Sequence, residues 1–146
     1  MQYGERVVFE GVPYYLFPEP KTVSRISADE LLRLQFSKQK SAYTIAIGKA
    51  FAEDVLSQEQ LRSLPFDDAK AALMAVKGIG NWTANYALMK TFRHPSAYPR
   101  EDAGIHNAIK RLRKMDRKPT LAEVDAVFSR YAGWEAYATL YFWKAL

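Results

Sequence analysis

Two glycines one residue apart, Gly78 and Gly80, separate a helical run that ends near Lys77 from another that begins at Asn81-Trp82-Thr83-Ala84. Glycine accepts positive φ and lets backbone approach closely, so the chain can reverse here within a few residues. The second helix then starts with bare backbone N–H groups pointing out of the turn. Such a helix start is a ready anion site, and a phosphate fits it. A Gly-x-Gly by itself fits a plain corner between two helices equally well. The Trp-Thr-Ala-x-Tyr that follows it here favours a hairpin that grips a sugar–phosphate backbone.

The rest of the chain reads as helices. Ser27-Ala28-Asp29-Glu30, Ser57-Gln58-Glu59-Gln60 and Thr120-Leu121-Ala122-Glu123 have the form of capping boxes, in which the hydroxyl accepts from an orphan N–H and the acid or amide reaches back. The first opens a helix to about Gln35 and the second one to about Leu64. Gln39 to Asp54 is helical and almost apolar around Tyr43, Ile45, Ile47, Ala50 and Phe51, which predicts a central core helix. Asp67 to Val76 and Asn81 to about Phe92 flank the glycine corner, and His94 to Pro99 is a loop. Ile105, Ile109 and Leu112 form one buried stripe over Asp102 to Arg113. Val124, Val127, Phe128 and Tyr131 repeat that pattern, Gly133 ends the helix, and Trp134 to Leu146 forms the last one. Met1 to Pro20 reads as an irregular, aromatic-rich lead-in, because Gly11, Pro13, Pro18 and Pro20 interrupt it. The predicted fold is all-α, a compact bundle of about eight short helices without a strand.

Composition narrows the chemistry. The 146 residues suit one domain, and 49% are hydrophobic, enough for a core. There is no cysteine, which removes disulfides, thiolate zinc and Cys-ligated iron–sulfur clusters. No apolar run approaches ~20 residues and no leader is evident, so a membrane chain is not expected. The net charge of +5 permits a phosphate-bearing partner without requiring one. His94 and His106 lack carboxylate partners at ligand spacing, so a catalytic zinc is not expected.

Asp102 is the candidate for chemistry. A carboxylate at a helix start is held ionised by the helix dipole and nearby N–H groups. Aspartate is also simply a favoured N-cap. Glu101 is read as a solvated neighbour. Trp82 and Tyr86, at i and i+4, share one face of the second hairpin helix and either sandwich an extruded base or pack in the core. Trp143 and Tyr137 extend that choice, with Tyr137 assigned to the core. Lys110, Arg111, Arg113, Lys114, Arg117 and Lys118 form the densest basic run, which also suits a helix C-terminus.

Lys77-Gly78-Ile79-Gly80-Asn81-Trp82-Thr83-Ala84-Asn85-Tyr86-Ala87-Leu88-Met89, then Tyr98-Pro99-Arg100-Glu101-Asp102-Ala103-Gly104-Ile105, then the aromatic C-terminus Tyr137 to Leu146 together resemble the helix–hairpin–helix (HhH-GPD) DNA glycosylase superfamily. The branch that looks most similar is 3-methyladenine DNA glycosylase II. The resemblance runs from Gln2-Tyr3-Gly4-Glu5-Arg6 onward. It implies that Asp102 is the catalytic aspartate, that Trp82, Tyr86 and Trp143 line the base pocket, and that Lys77, Gly78, Gly80 and Thr83 hold the DNA backbone. It also implies that the carbonyls of Met74, Val76 and Ile79 can hold a monovalent cation, with no other cofactor required. Bifunctional relatives carry a nucleophilic lysine where this chain has Trp82, so the resemblance implies a monofunctional enzyme. That enzyme would act on double-stranded DNA with a damaged base in the cytoplasm, at the nucleoid. The family has a further helix and an N-terminal segment before the stretch that begins here. Residues 1–146 therefore read as one N-terminally truncated domain whose exposed apolar surface favours self-association. Three other readings remain: a non-catalytic DNA-binding hairpin module, a glycosylase for another damaged base, and a helical interaction domain whose aromatics are only core.

Overall fold

The structure is a computed structural model that describes residues 3–146; Met1 and Gln2, where the expected domain and the resemblance begin, lie outside the described residues. It is predominantly helical, with a small β-hairpin. The chain forms two compact units, one of residues up to 61 plus 75–78, the other of residues 62–74 and 79–146.

In the first unit, strands β1 (Arg6–Phe9) and β2 (Val12–Tyr15) pair antiparallel, with Phe9 opposite Val12 and Val8 opposite Pro13. This corrects the expected strandless lead-in. Glu10 and Gly11 both have positive φ, 49° and 77°, as a two-residue hairpin turn requires. Pro13 is tolerated because both strands of a two-stranded sheet are edges. A helix α1 (Pro20–Arg25) follows, also unexpected: Pro20 sits at the helix start, where its missing N–H costs nothing. Helix α2 (Ala28–Arg33) opens on the expected capping box, with Ser27 N–H donating to Glu30 Oε2 at 2.8 Å.

Helix α3 (Lys38–Ala52) packs against α1 and α2. It is not a buried core helix. Only Ser41, Gly48 and Ala50 are buried, while Tyr43, Ile45, Ile47 and Phe51 are half-buried. Two six-residue helices cannot cover so broad an apolar face. Helix α4 (Gln58–Ser63) opens where Ser57 Oγ accepts from the Gln60 amide at 3.1 Å.

The second unit holds α5 (Phe66–Met74), α6 (Asn81–Lys90), α7 (Ala103–Leu112), α8 (Leu121–Phe128), a 3₁₀ turn (Ser129–Tyr131) and α9 (Glu135–Lys144). Nine α-helices are thus present among the described residues, against about eight expected, and α1 is the addition. Helix α5 packs on α6, and α7 on α9. The core is Ile105, Ile109, Val124, Val127, Phe128 and Ala138, against which Tyr98, Phe142 and Trp143 pack. Tyr98 stacks on the fully buried Phe128 with ring centroids 4.3 Å apart. Burial of a side chain such as Phe128 contributes about 1.5–3 kcal/mol. The α7 and α8 stripes stop short of their expected ends, because Leu112 and Tyr131 are exposed. With Trp134, Tyr137, Tyr141 and Phe142 they line an open groove.

Candidate active site

Asp102 is the N-cap of α7, and its Oδ1 accepts from the Ile105 amide at 3.0 Å. The capping role and a chemical role do not exclude each other, because the same carboxylate accepts two further bonds. The indole of Trp143 donates to Oδ1 at 2.8 Å and that of Trp82 to Oδ2 at 3.1 Å. Burial pushes the Asp102 carboxyl up, but hydrogen bonds from Trp143, the Ile105 amide, Trp82 and the Gly104 amide more than offset it. The net position lies below the ordinary 3.8. Asp102 is therefore an anion held by N–H donors, with no cationic side chain bonded to it.

Gly104 makes this packing possible. A Cβ there would lie 2.9 Å from Asp102 Oδ1 and 3.0 Å from Trp143 Cδ1. The sequence reading passed over Gly104, although a glycine in the first turn of a helix is unfavourable and so invites a reason.

The loop that delivers Asp102 is fastened from three helices. Asp125 of α8 accepts from Tyr98 Oη at 2.8 Å and pairs with Arg100 Nη2 at 2.6 Å. His106 of α7 shares a hydrogen bond of 2.9 Å with the Arg100 carbonyl. Asn81 of α6 donates through Nδ2 to both oxygens of Glu101, at 2.7 and 2.9 Å. Glu101 is exposed, as expected, but it is tethered rather than a bare solvated neighbour. The Arg100–Asp125 pair is half-exposed, and such pairs contribute only about 0–1 kcal/mol, so its value is geometric.

The aromatics gather around the carboxylate, but not as a sandwich. Trp82 and Tyr86 stack on each other, with centroids 5.0 Å apart and planes at 14°. Stacked rings approach to about 4.5 Å. A base between these two would need roughly twice that spacing, so the slot expected between them is closed. Trp143 lies 6.1 Å from Tyr86, tilted by 40°. Trp82 and Tyr86 are exposed, Trp143 half-buried. Tyr137 is 51% exposed and tilts against Trp134, which corrects its assignment to the core.

The hairpin glycines differ from each other. Gly78, in the first unit, has φ +101°, and a Cβ there would fall on the Tyr43 ring, so the fold itself demands glycine. Gly80, in the second unit, is extended (φ −89°, ψ 177°), which any residue adopts, and a Cβ there would meet nothing within 4 Å. It is the N-cap of α6 and supplies no side-chain cap. Thr83 is exposed in the first turn of α6, and Lys77 is exposed in the first unit. Met74 ends α5 and Ile79 is buried, both in the second unit, whereas Val76 belongs to the first. Among the described residues, no three carboxylate or imidazole side chains group to hold a metal, and no helix is long and apolar enough to cross a membrane. Part of the basic run serves the fold: Arg111 Nη1 donates to the Leu146 carbonyl at 2.6 Å, and Arg117 pairs with Glu123 at 2.8 Å.

The chain is similar to a DNA-3-methyladenine glycosylase of Bacillus subtilis (strain 168), 38% identical over 99% of this chain and 48% of that protein. It thus spans about half the length of that relative. Its fold matches a 3-methyladenine DNA glycosylase from Archaeoglobus fulgidus, with a TM-score of 0.82 and 22% identity over 97% of this chain and 47% of that one. It also matches a Clostridium acetobutylicum 8-oxoguanine glycosylase/lyase, with a TM-score of 0.82 and 17% identity over 97% and 48%. The model of the HhH-GPD superfamily of base excision DNA repair proteins matches residues 3–132, and the chain belongs to that superfamily.

Proposed function

We propose that this chain carries the catalytic residues of a monofunctional DNA glycosylase, which hydrolyses the N-glycosidic bond of alkylated purines of the 3-methyladenine type in double-stranded DNA. The observation that supports this most is the ionised Asp102 carboxylate, held by two indole N–H groups beside the Trp82–Tyr86 stack. A base within a duplex is out of reach, so the nucleotide must flip out. Alkylation at a ring nitrogen makes the base cationic, and aromatic faces attract a cation. Since Trp82 and Tyr86 are closed on each other, the base would lie on an outer face of the stack.

As the glycosidic bond stretches, positive charge builds on the sugar, and the Asp102 carboxylate stabilises it. A water oxygen bonds to the anomeric carbon, the electron pair of the broken bond leaves with the base and neutralises it, and the water proton passes to solvent. The resemblance puts Trp82 where bifunctional relatives carry a lysine, which supports hydrolysis without strand cleavage. Gly80 supports a backbone grip, because neither strain nor packing requires a glycine there. With Thr83 it would hold a phosphate at the start of α6, and the resemblance gives Lys77 and Gly78 a backbone-holding role as well. By the resemblance, the carbonyls of Met74, Val76 and Ile79 are the hard oxygen donors that would suit a monovalent cation.

The test is single-turnover excision from a duplex containing one 3-methyladenine or 7-methylguanine. Asp102→Asn should lower the rate by about 10²–10³, the scale of losing one preorganised electrostatic group; equal rates would remove Asp102 from the chemistry. Residues 1–146 act in this reading as a single domain at the nucleoid. Exposed Phe9, Tyr14 and Phe17 in the first unit support self-association, and a sedimentation coefficient that stays at the monomer value as concentration rises would exclude it.

A further inference from the structure

The start of α6 holds the Asp102 loop by two consecutive rungs. Asn81 bonds to Glu101, and the next residue, Trp82, bonds to Asp102. The two rungs differ in what they can sustain. Trp82 is an exposed aromatic of the proposed base-binding face, and its single 3.1 Å bond must loosen if a base or the sugar takes Oδ2. The Asn81–Glu101 rung uses none of the donors bonded to the Asp102 carboxylate, so it can persist when Oδ2 is taken.

Its orientation is fixed from behind. Asn85, one turn further along α6 and 3% exposed, donates through Nδ2 to the Asn81 carbonyl at 2.9 Å and to Asn81 Oδ1 at 3.1 Å. With Oδ1 accepting from Asn85, the Asn81 amide must turn its NH₂ toward Glu101. A buried polar side chain that has found its partners in this way sets one geometry rather than several. Glu101 in turn presents both carboxylate oxygens to that NH₂.

We propose that Asn81 and Glu101 are positioning residues: together, backed by Asn85, they keep Asp102 aimed at the reacting carbon once the Trp82 indole gives way. The inference rests on the catalytic reading of Asp102, yet part of it can be tested without activity. A loop tethered at one residue fewer lets the carboxylate swing, and misplacement of about 1 Å can cost up to about a hundredfold in rate.

The experiment compares Asn81→Ala, Glu101→Ala, Glu101→Gln and the double variant Asn81→Ala/Glu101→Ala in the 146-residue chain. Two quantities are read: the single-turnover excision rate at saturating protein, and the dissociation constant for the same duplex carrying an uncleavable abasic analogue. Each alanine variant should lose about tenfold in rate with unchanged DNA affinity. The double variant should be no worse than either single, since both remove one rung. Glu101→Gln, which keeps one acceptor, should recover most of the rate. Losses that add in the double variant, or that follow the dissociation constant, would overturn the proposal.

Amide hydrogen exchange in the DNA-free protein gives an activity-independent reading. Asn81→Ala should speed exchange of the Ile105 amide, which is bonded to Asp102, and leave the Val124 amide unmoved. An unchanged Ile105 amide refutes the positioning role even if the chain excises nothing. Equal rates for the parent and Asp102→Asn would instead refute the catalytic reading alone.

Discussion

Helices α6 and α7 begin in opposite ways. Every helix start leaves orphan N–H groups that favour negative charge. At α7 the chain answers them itself: Asp102 accepts from the Ile105 amide, and the carboxylate is then held by Trp143 and Trp82. At α6 it supplies nothing, since Gly80 has no side chain and open space where a Cβ would be. The same backbone physics thus yields a filled site and an empty one, and α6 also reaches the filled one through Trp82. The filled start holds an anion that belongs to the protein. The empty start is free for an anion that does not, which is the asymmetry the proposed phosphate grip requires.

Making α6 resemble α7 tests this most severely. Gly80→Asp meets no steric obstacle, because the position is extended and open. An acidic N-cap in place of glycine should change helix stability by no more than a few tenths of a kcal/mol, in the favourable direction. The same carboxylate would sit where a phosphate is proposed to bind. Like charges set together cost a few kcal/mol, so affinity for duplex DNA should fall about a hundredfold, while the melting temperature holds or rises. Retained affinity in a filter-binding or anisotropy titration would show that α6 does not face the DNA backbone.

The difference between the two helix starts was only half legible in the sequence. Signals carried by a few adjacent residues read correctly: the Ser27 and Thr120 capping boxes, the Ile105 and Ile109 stripe, and Asp102 as a carboxylate at a helix start. Proline and glycine misled where position outweighs identity. Pro20 starts a helix and Pro13 lies in an edge strand, though both read as interruptions. Contacts across long separations left no local trace. Asp125 fastens Tyr98 and Arg100 from 27 and 25 residues away, and Asn81 reaches Glu101 across 20. The i, i+4 spacing of Trp82 and Tyr86 placed both rings on one face, but whether they part or stack depends on rotamers, and they stack. Exposure of Leu112, Tyr131 and Tyr137 likewise depends on what lies opposite them, which periodicity does not contain.

A smaller effect is expected from crowding the filled site. Gly104→Ala adds one methyl group in the first turn of α7, 2.9 Å from Asp102 Oδ1 and 3.1 Å from Trp143 Nε1. Alanine in place of a helical glycine gains about 0.5–1 kcal/mol, which offsets part of the strain. The melting temperature should therefore move little, whereas the Trp143–Asp102 bond must lengthen. Excision should slow by about tenfold, the scale of a positioned group displaced by a fraction of an ångström. Full activity in Gly104→Ala would mean that the carboxylate works in a position other than the one the two indoles define.

The smallest effect concerns the charge of that carboxylate. Trp143→Phe keeps most of the ring packing and removes one N–H donor to Asp102 Oδ1. In the intact protein the carboxyl lies below the ordinary 3.8, so Asp102 is ionised at all pH values above it, and its contribution to stability is present there and lost only as pH falls through the lower folded value. Without the indole donor the folded value rises toward the ordinary one. The acid limb of the excision rate, and the acid limb of stability with it, should both move to higher pH, while rates near neutrality change only a few-fold. The measurement is the single-turnover rate of both proteins from neutral pH down to the onset of acid unfolding. An acid limb that stays in place, or moves to lower pH, would show that hydrogen bonding from Trp143 does not hold the Asp102 charge.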